Sequence, residues 1–107
     1  MGLTRTELYD DHHLAQANVL KAVGHPARLA ILEHLLQHCT CINSGFIQLT
    51  GLSQASVSRH LAVLEEAGLV SSQKGAYCID PEGWKILSEQ FVPLVARARQ
   101  TSNSCNT

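Results

Sequence analysis

The stretch Gln48-Leu49-Thr50-Gly51-Leu52-Ser53-Gln54-Ala55-Ser56-Val57-Ser58-Arg59-His60-Leu61, continued by Ala62-Val63-Leu64-Glu65-Glu66-Ala67-Gly68-Leu69-Val70, reads as helix, turn, helix, stop. Gly51 supplies the permissive backbone that ends a helix in a left-handed residue. Ser53 is placed to cap the next helix by accepting a bond from the amide of Ser56. Val57, Leu61 and Leu64 recur at helical spacing and form one apolar stripe. The opposite face carries Gln54, Ser56, Ser58 and Arg59, and Gly68 closes the helix. A helix that buries one side and presents such groups from its first two turns suits the DNA major groove. There Gln pairs with adenine, Arg with guanine, and Ser with either. On its own the pattern also fits a solvated helix of an ordinary bundle.

On the N-terminal side, residues from about Thr6 to Val23 form a helical pattern, with Leu8, Ala15, Val19 and Ala22 on one side and Leu14 and Leu20 broadening it. Gly24-His25-Pro26 ends that helix and starts another, whose core-facing positions are Leu29, Leu32, Leu35 and Leu36. Cys39-Thr40-Cys41-Ile42-Asn43-Ser44-Gly45 follows, then a short helix leading to Gly51. After Gly68, Leu69–Ser72 and Ala76–Ile79 are short strand candidates around the turn Gln73-Lys74-Gly75, a small hairpin or wing. Asp80-Pro81-Glu82 combines a cap, a first-position proline and an acid, and so starts a final helix. That helix carries Trp84, Leu87, Phe91, Val95 and Ala98 on one stripe, and Pro93 inside it should kink or break it. Residues 1–100 therefore read as one domain and 101–107 as a flexible tail.

The 107 residues suffice for one modest core, and 45% hydrophobic with 16% charged content describes a folded globular chain. No apolar run approaches a membrane span, and Met1–Glu7 lacks a signal-peptide core, so a cytoplasmic chain with no membrane partner is expected. Four cysteines in that setting are candidates for metal or redox chemistry before disulfides. The formal net charge of -1 is not that of a basic nucleic-acid binder, but local potential decides. Arg28, Arg59 and Lys74 lie in or near the reading head, whereas Glu7, Asp10 and Asp11 lie elsewhere. Enzyme chemistry has no support: there is no Gly-rich phosphate loop and no nucleophile–base pair, and Cys-x-Cys is not the usual redox spacing.

The order helix, helix, helix-turn-helix, hairpin, helix resembles the arsenic-repressor (ArsR/SmtB) family of bacterial winged-helix transcription regulators. The segments that carry the likeness are Lys21-Ala22-Val23-Gly24-His25-Pro26-Ala27-Arg28-Leu29-Ala30-Ile31-Leu32, Leu52–Leu61 and Leu64–Val70. The resemblance implies a mainly α fold with a small β-hairpin, dimerising through its first and last helices. It further implies a homodimer that represses by binding a palindromic operator in double-stranded DNA, with no cofactor required for binding and release by an inducer metal in many members. Two recognition helices then reach major grooves one turn apart. Carried over position by position, Gln54, Ser56, Ser58, Arg59 and His60 fall on the recognition helix, and Lys74 at the wing tip meets phosphate or the minor groove. His60 belongs to the Ser-x-His-Leu signature, either contacting DNA or packing at the helix edge. Leu8, Ala15, Trp84, Leu87 and Phe91 are the candidate dimer interface, although the stripe on the last helix can also pack on its own core.

Some members carry a Cys-x-Cys metal site where this chain has Cys39 and Cys41. Soft thiolates select As(III), Sb(III), Cd or Pb over hard cations, with zinc a weaker fit. Cys105, or alternatively Cys78, would supply a third sulfur. Residues two apart do not share a face of a regular helix, so joint ligation there calls for an irregular helix start. The chain departs from the family's thiolate sites in having Ile42-Asn43 rather than an acidic residue after the second Cys. It also has a longer run from Cys41 to Ser53. A lone Cys78 in a strand also reads as a small buried hydrophobe. A regulator switched by thiol oxidation or persulfide, or one without an effector, is the alternative within the same fold. His34 and His38, four apart, project from one helical face and could bind zinc alone or with Cys39, or simply form a solvated face. No His follows Asp80, so a His-dependent site between the last helices is not expected.

Overall fold

The computed structural model describes residues 8–38 and 40–101, and for residues 40–44 the backbone alone. Five helices and a three-stranded sheet precede a widened turn and a last helix. In chain order they are α1 (Asp11–Val23), α2 (Pro26–His38), β1 (Thr40–Ile42), α3 (Asn43–Thr50), α4 (Gln54–Glu66), β2 (Val70–Gln73), β3 (Ala76–Ile79) and α5 (Pro81–Ile86). A π-helical turn (Leu87–Phe91) and α6 (Val92–Gln100) complete it. This is the expected mainly α winged helix-turn-helix architecture with a hairpin. The core gathers one face from each element: Val19 and Ala22 of α1, Ile31, Leu32 and Leu35 of α2, Phe46 of α3, Val57, Leu61 and Leu64 of α4, and Leu69 and Val70.

Three local expectations change. The first helix begins at Asp11, not near Thr6, and residues 1–7 lie outside the described residues. On α2, Leu29 and Leu36 face outward, 46% and 61% exposed. Ile31, Leu32 and Leu35 form the buried stripe, and two residues seven apart are in line with each other on its flank. The Cys39–Gly45 segment, which the sequence pattern leaves unassigned ahead of the short helix, contains β1, whose Thr and Ile suit a strand, and the start of α3. β1 joins the hairpin to give the sheet order β1-β3-β2, all antiparallel, with Thr40 paired to Cys78 and Cys41 to Tyr77.

The hairpin turn is tighter than expected. Gln73 belongs to β2, and Lys74 and Gly75 alone make the turn, with φ of 53° and 81°. Two successive positive φ values are the type I′ pattern that matches strand twist. In the last helix Pro93 acts as expected, and the means is visible. Proline lacks a donor and its ring crowds the carbonyl four residues back, and the π turn just before it absorbs the misfit. The inserted turn also rotates the apolar stripe. Trp84, Leu87 and Phe91 are half-buried, whereas Val95 and Ala98 face out.

The end of α4, the hairpin and α5 meet at one junction. The Gly83 amide donates to the Gly68 carbonyl at 2.8 Å, and the Leu69 carbonyl accepts from the Asp80 amide at 3.1 Å and from Trp84 Nε1 at 3.3 Å. Gly68 takes φ 75°, and a Cβ on Gly83 would stand 2.6 Å from the Ala67 carbonyl oxygen and 3.0 Å from Gly68 backbone atoms. Backbone offers no soft way out of that clash. Gly83→Ala is therefore expected to cost about 1–3 kcal/mol in urea unfolding, and an unchanged midpoint would show that the junction is looser than this.

Candidate nucleic-acid interface

Hydroxyl groups fix the start of α4. Thr50 Oγ1 donates to the Phe46 carbonyl at 2.8 Å and accepts from the Leu52 amide at 3.2 Å, so α3 ends while its last turn stays satisfied. Gly51 then turns with φ 72°, its amide donating to the Ile47 carbonyl. Ser53 caps α4 as expected, its Oγ accepting from the Ser56 amide at 3.2 Å. The same hydroxyl donates to Ser56 Oγ at 3.2 Å, and Arg59 Nη2 donates to Ser56 Oγ at 3.4 Å. One short chain of bonds thus links the cap to the guanidinium across the first turn and a half.

Val57, Leu61 and Leu64 are fully buried beneath, which holds the outer face of α4 at a fixed rotation. Gln54, Ser58 and Arg59 are exposed there, Ser56 is half-buried, and Lys74 stands exposed at the hairpin tip. The sheet end of α4 is tied to the hairpin by Ser72 Oγ, which donates to Glu65 Oε2 at 3.0 Å. Donors and acceptors with short side chains, one guanidinium and an ammonium on a separate arm can read base edges and hold phosphate.

His60 differs from its neighbours. It is half-buried, its ring centroid 4.4 Å from that of His25 and tilted by 47°. His25 opens α2: its carbonyl accepts from the Leu29 amide at 2.9 Å and its Nδ1 accepts from the Ala27 amide at 3.0 Å. Burial first, then His25, Arg28 and Arg59, hold His60 below its ordinary value of 6.5. Of the two roles open to His60, the geometry favours packing at the helix edge. The part played by His25 was not foreseen. Its only sequence signal was a histidine in each of two separate motifs, Gly24-His25-Pro26 and Ser58-Arg59-His60-Leu61.

The other expected residues are dispersed. Cys39 and Cys105 lie outside the described residues, and Cys41 sits in β1, in a strand rather than at an irregular helix start. Cys78 is half-buried with Sγ 3.4 Å from Ser71 Oγ, and its thiol donates to the Ser71 carbonyl at 3.9 Å. Among the described residues no group of three His, Cys, Asp or Glu could hold a metal. Of the candidate interface residues, Trp84 and Leu87 pack against the chain's own core, Ala15 and Phe91 are half-buried, and Leu8 is exposed. Tyr9 and Leu94, unmarked in the sequence stripe, are exposed and border a cleft of about 600 Å³ with Leu14, Gln16 and Ala17. Leu94 was missed because a regular helix would have turned another residue to that side.

The helix-turn-helix with its hairpin defines a winged helix-turn-helix protein. Residues 25–72 match the family of bacterial regulatory proteins called ArsR. It is 40% identical over 60 residues to the HTH-type transcriptional regulator YgaV of Escherichia coli K12, an alignment spanning 56% of this chain and 61% of YgaV. A crystal structure of an ArsR-family transcriptional regulator, RHA00566, superposes with a TM-score of 0.69 at 15% identity, covering 88% of this chain and all of that one. The homodimeric winged helix-turn-helix DNA-binding domain of Mb0332 from Mycobacterium bovis superposes with a TM-score of 0.60 at 26% identity, covering 92% and 91%. The family and these relatives are transcriptional regulators, not enzymes. Among the described residues no helix is long and apolar enough to cross a membrane.

The His60 environment sets a pH dependence with a definite sign. Its folded pKa is lowered, so as pH falls the unfolded chain takes up that proton first. The contribution is intact above the unfolded value of about 6.5 and is lost as pH falls toward the folded one. Between about pH 7.5 and about pH 5.5 the urea midpoint is expected to drop more steeply in the wild type than in His60→Gln; equal slopes would place the titration elsewhere.

Proposed function

We propose that the chain is a homodimeric repressor that reads a palindromic operator through α4 and releases it when a thiophilic metalloid or metal, arsenite foremost, is held by Cys39 and Cys41. Gln54 and Arg59 read base edges, Ser56 and Ser58 support them, and Lys74 holds backbone phosphate. His60 sets the seating of α4 from behind. No cofactor is required for DNA binding. The exposed apolar residues Leu8 and Tyr9, just before α1, and Leu94 on α6, with the homodimeric state of the Mycobacterium bovis neighbour, support dimerisation through the first and last helices. In that arrangement Phe91 and Ala15 lie at the edge of the interface, while Trp84 and Leu87 brace it from the core side.

The observation that carries the sensing reading is β1. Cys41 lies in β1, and Cys39 directly precedes its first residue in the chain. β1 runs straight into α3, the first helix of the helix-turn-helix, and its backbone pairs with β3 of the hairpin that bears Lys74. Drawing the Cys39 and Cys41 thiolates together alters β1, and the shared sheet carries the change to the hairpin. The soft donor set suits As(III), Sb(III), Cd(II) or Pb(II) and ranks zinc below them. Cys78 is engaged with Ser71 and pairs with Thr40 rather than with Cys41, which favours Cys105 for a third sulfur.

The test is a DNA-binding titration on the protein's own upstream region, with and without arsenite, cadmium and zinc, repeated on Cys39→Ser/Cys41→Ser. Arsenite or cadmium is expected to release DNA from the wild type and leave the double variant bound. Binding that none of the three alters would keep the regulator and discard the thiolate sensor. Release by oxidant and recovery with reductant, not chelator, would move the trigger to thiol oxidation.

A further inference from the structure

We infer that His34 and His38 form a binding site for a borderline divalent transition ion such as Ni(II), Cu(II) or Zn(II), separate from the cysteine pair. The two residues are four apart on α2 and their ring centroids are 4.4 Å apart, the planes inclined by 32°. Two imidazoles bound side by side to one ion through bonds of about 2.0–2.1 Å place their ring centroids roughly 4.5–5 Å apart. The observed spacing is close to that value, and rotation of the exposed His38 would turn a nitrogen of each ring toward a common ion.

The two rings have different supports. His34 is half-buried and meets the fully buried Phe46 edge to face, with centroids 6.2 Å apart and an angle of 71°, which holds one ligand in place before any ion arrives. His38 is exposed in the last turn of α2, so it can adjust, and solvent can fill the remaining coordination positions. An all-imidazole pair suits Cu, Ni and Zn, and offers nothing to Ca(II) or Mg(II), which take oxygen ligands. An ion spanning residues 34 and 38 would staple the end of α2 two residues before β1 begins. The site needs no thiolate, so it stands or falls apart from the sensing reading above.

The experiment titrates Ni(II), Cu(II) and Zn(II) into the full chain carrying Cys39→Ser/Cys41→Ser, followed by calorimetry and by thermal unfolding. One ion per chain is expected, with Cu(II) tightest in keeping with the ligand-field order, and with a raised unfolding midpoint. His38→Gln in the same background should weaken binding about tenfold or more. Because that side chain is exposed, the fold should survive even if His34→Ala, which strips a contact from Phe46, does not. Equal affinity in His38→Gln, or no saturable binding in the Cys39→Ser/Cys41→Ser chain, would overturn the site. So would Ni(II) or Zn(II) binding that survives His38→Gln in the wild-type background and disappears with the cysteines.

Discussion

The structure depends on the Gly68–Leu69 junction, where the backbone of α5 lies directly against the end of α4. Three bonds converge on two carbonyls there, from the Gly83 and Asp80 amides and from Trp84 Nε1. Neither glycine can carry a side chain without strain or clash, the first because its φ is 75° and the second because its Cβ would meet backbone. The junction fixes the angle between α4, the second helix of the helix-turn-helix, and the terminal helices, beside and on which the exposed apolar residues lie. In a two-fold assembly that angle determines where two copies of α4 stand relative to one another.

A second constraint comes from β3, the middle strand. It bonds to β2 through the tight Lys74–Gly75 turn and to β1 on its other edge. Tyr77 and Ile79 of this strand pack against the core, and Tyr77 meets Phe46 of α3 edge to face. The cysteine-bearing strand, the hairpin arm and the first helix of the helix-turn-helix therefore share one sheet and one set of contacts.

Much of this was legible in the sequence where the cause is local. Gly51, Ser53 and Gly68 mark the turn, cap and stop of the helix-turn-helix because each acts within four residues of itself. Asp80-Pro81-Glu82 and Pro93 announce the start and the disruption of the last helix for the same reason. Features set by distant partners were not legible. Thr40–Ile42 becomes a strand only because an edge of β3 is free to receive it. Leu29 and Leu36 look like core in a leucine-rich helix, and only the positions of α3, α4 and β3 decide which flank is covered. His25 and His60 are 35 positions apart in number, and their contact depends on the packing of α2 against α4. The rotation of Leu94 outward followed from a π turn whose presence, unlike the proline behind it, has no signature of its own.

The central claim is that α4 acts as one half of a symmetric reading head, and footprinting of the upstream DNA with a count of bound chains tests it most directly. Two chains per site are expected, protecting two half-sites centred about 10 base pairs apart or a multiple of that. A single bound chain over one protected patch, or protection without any symmetric partner, would contradict the account.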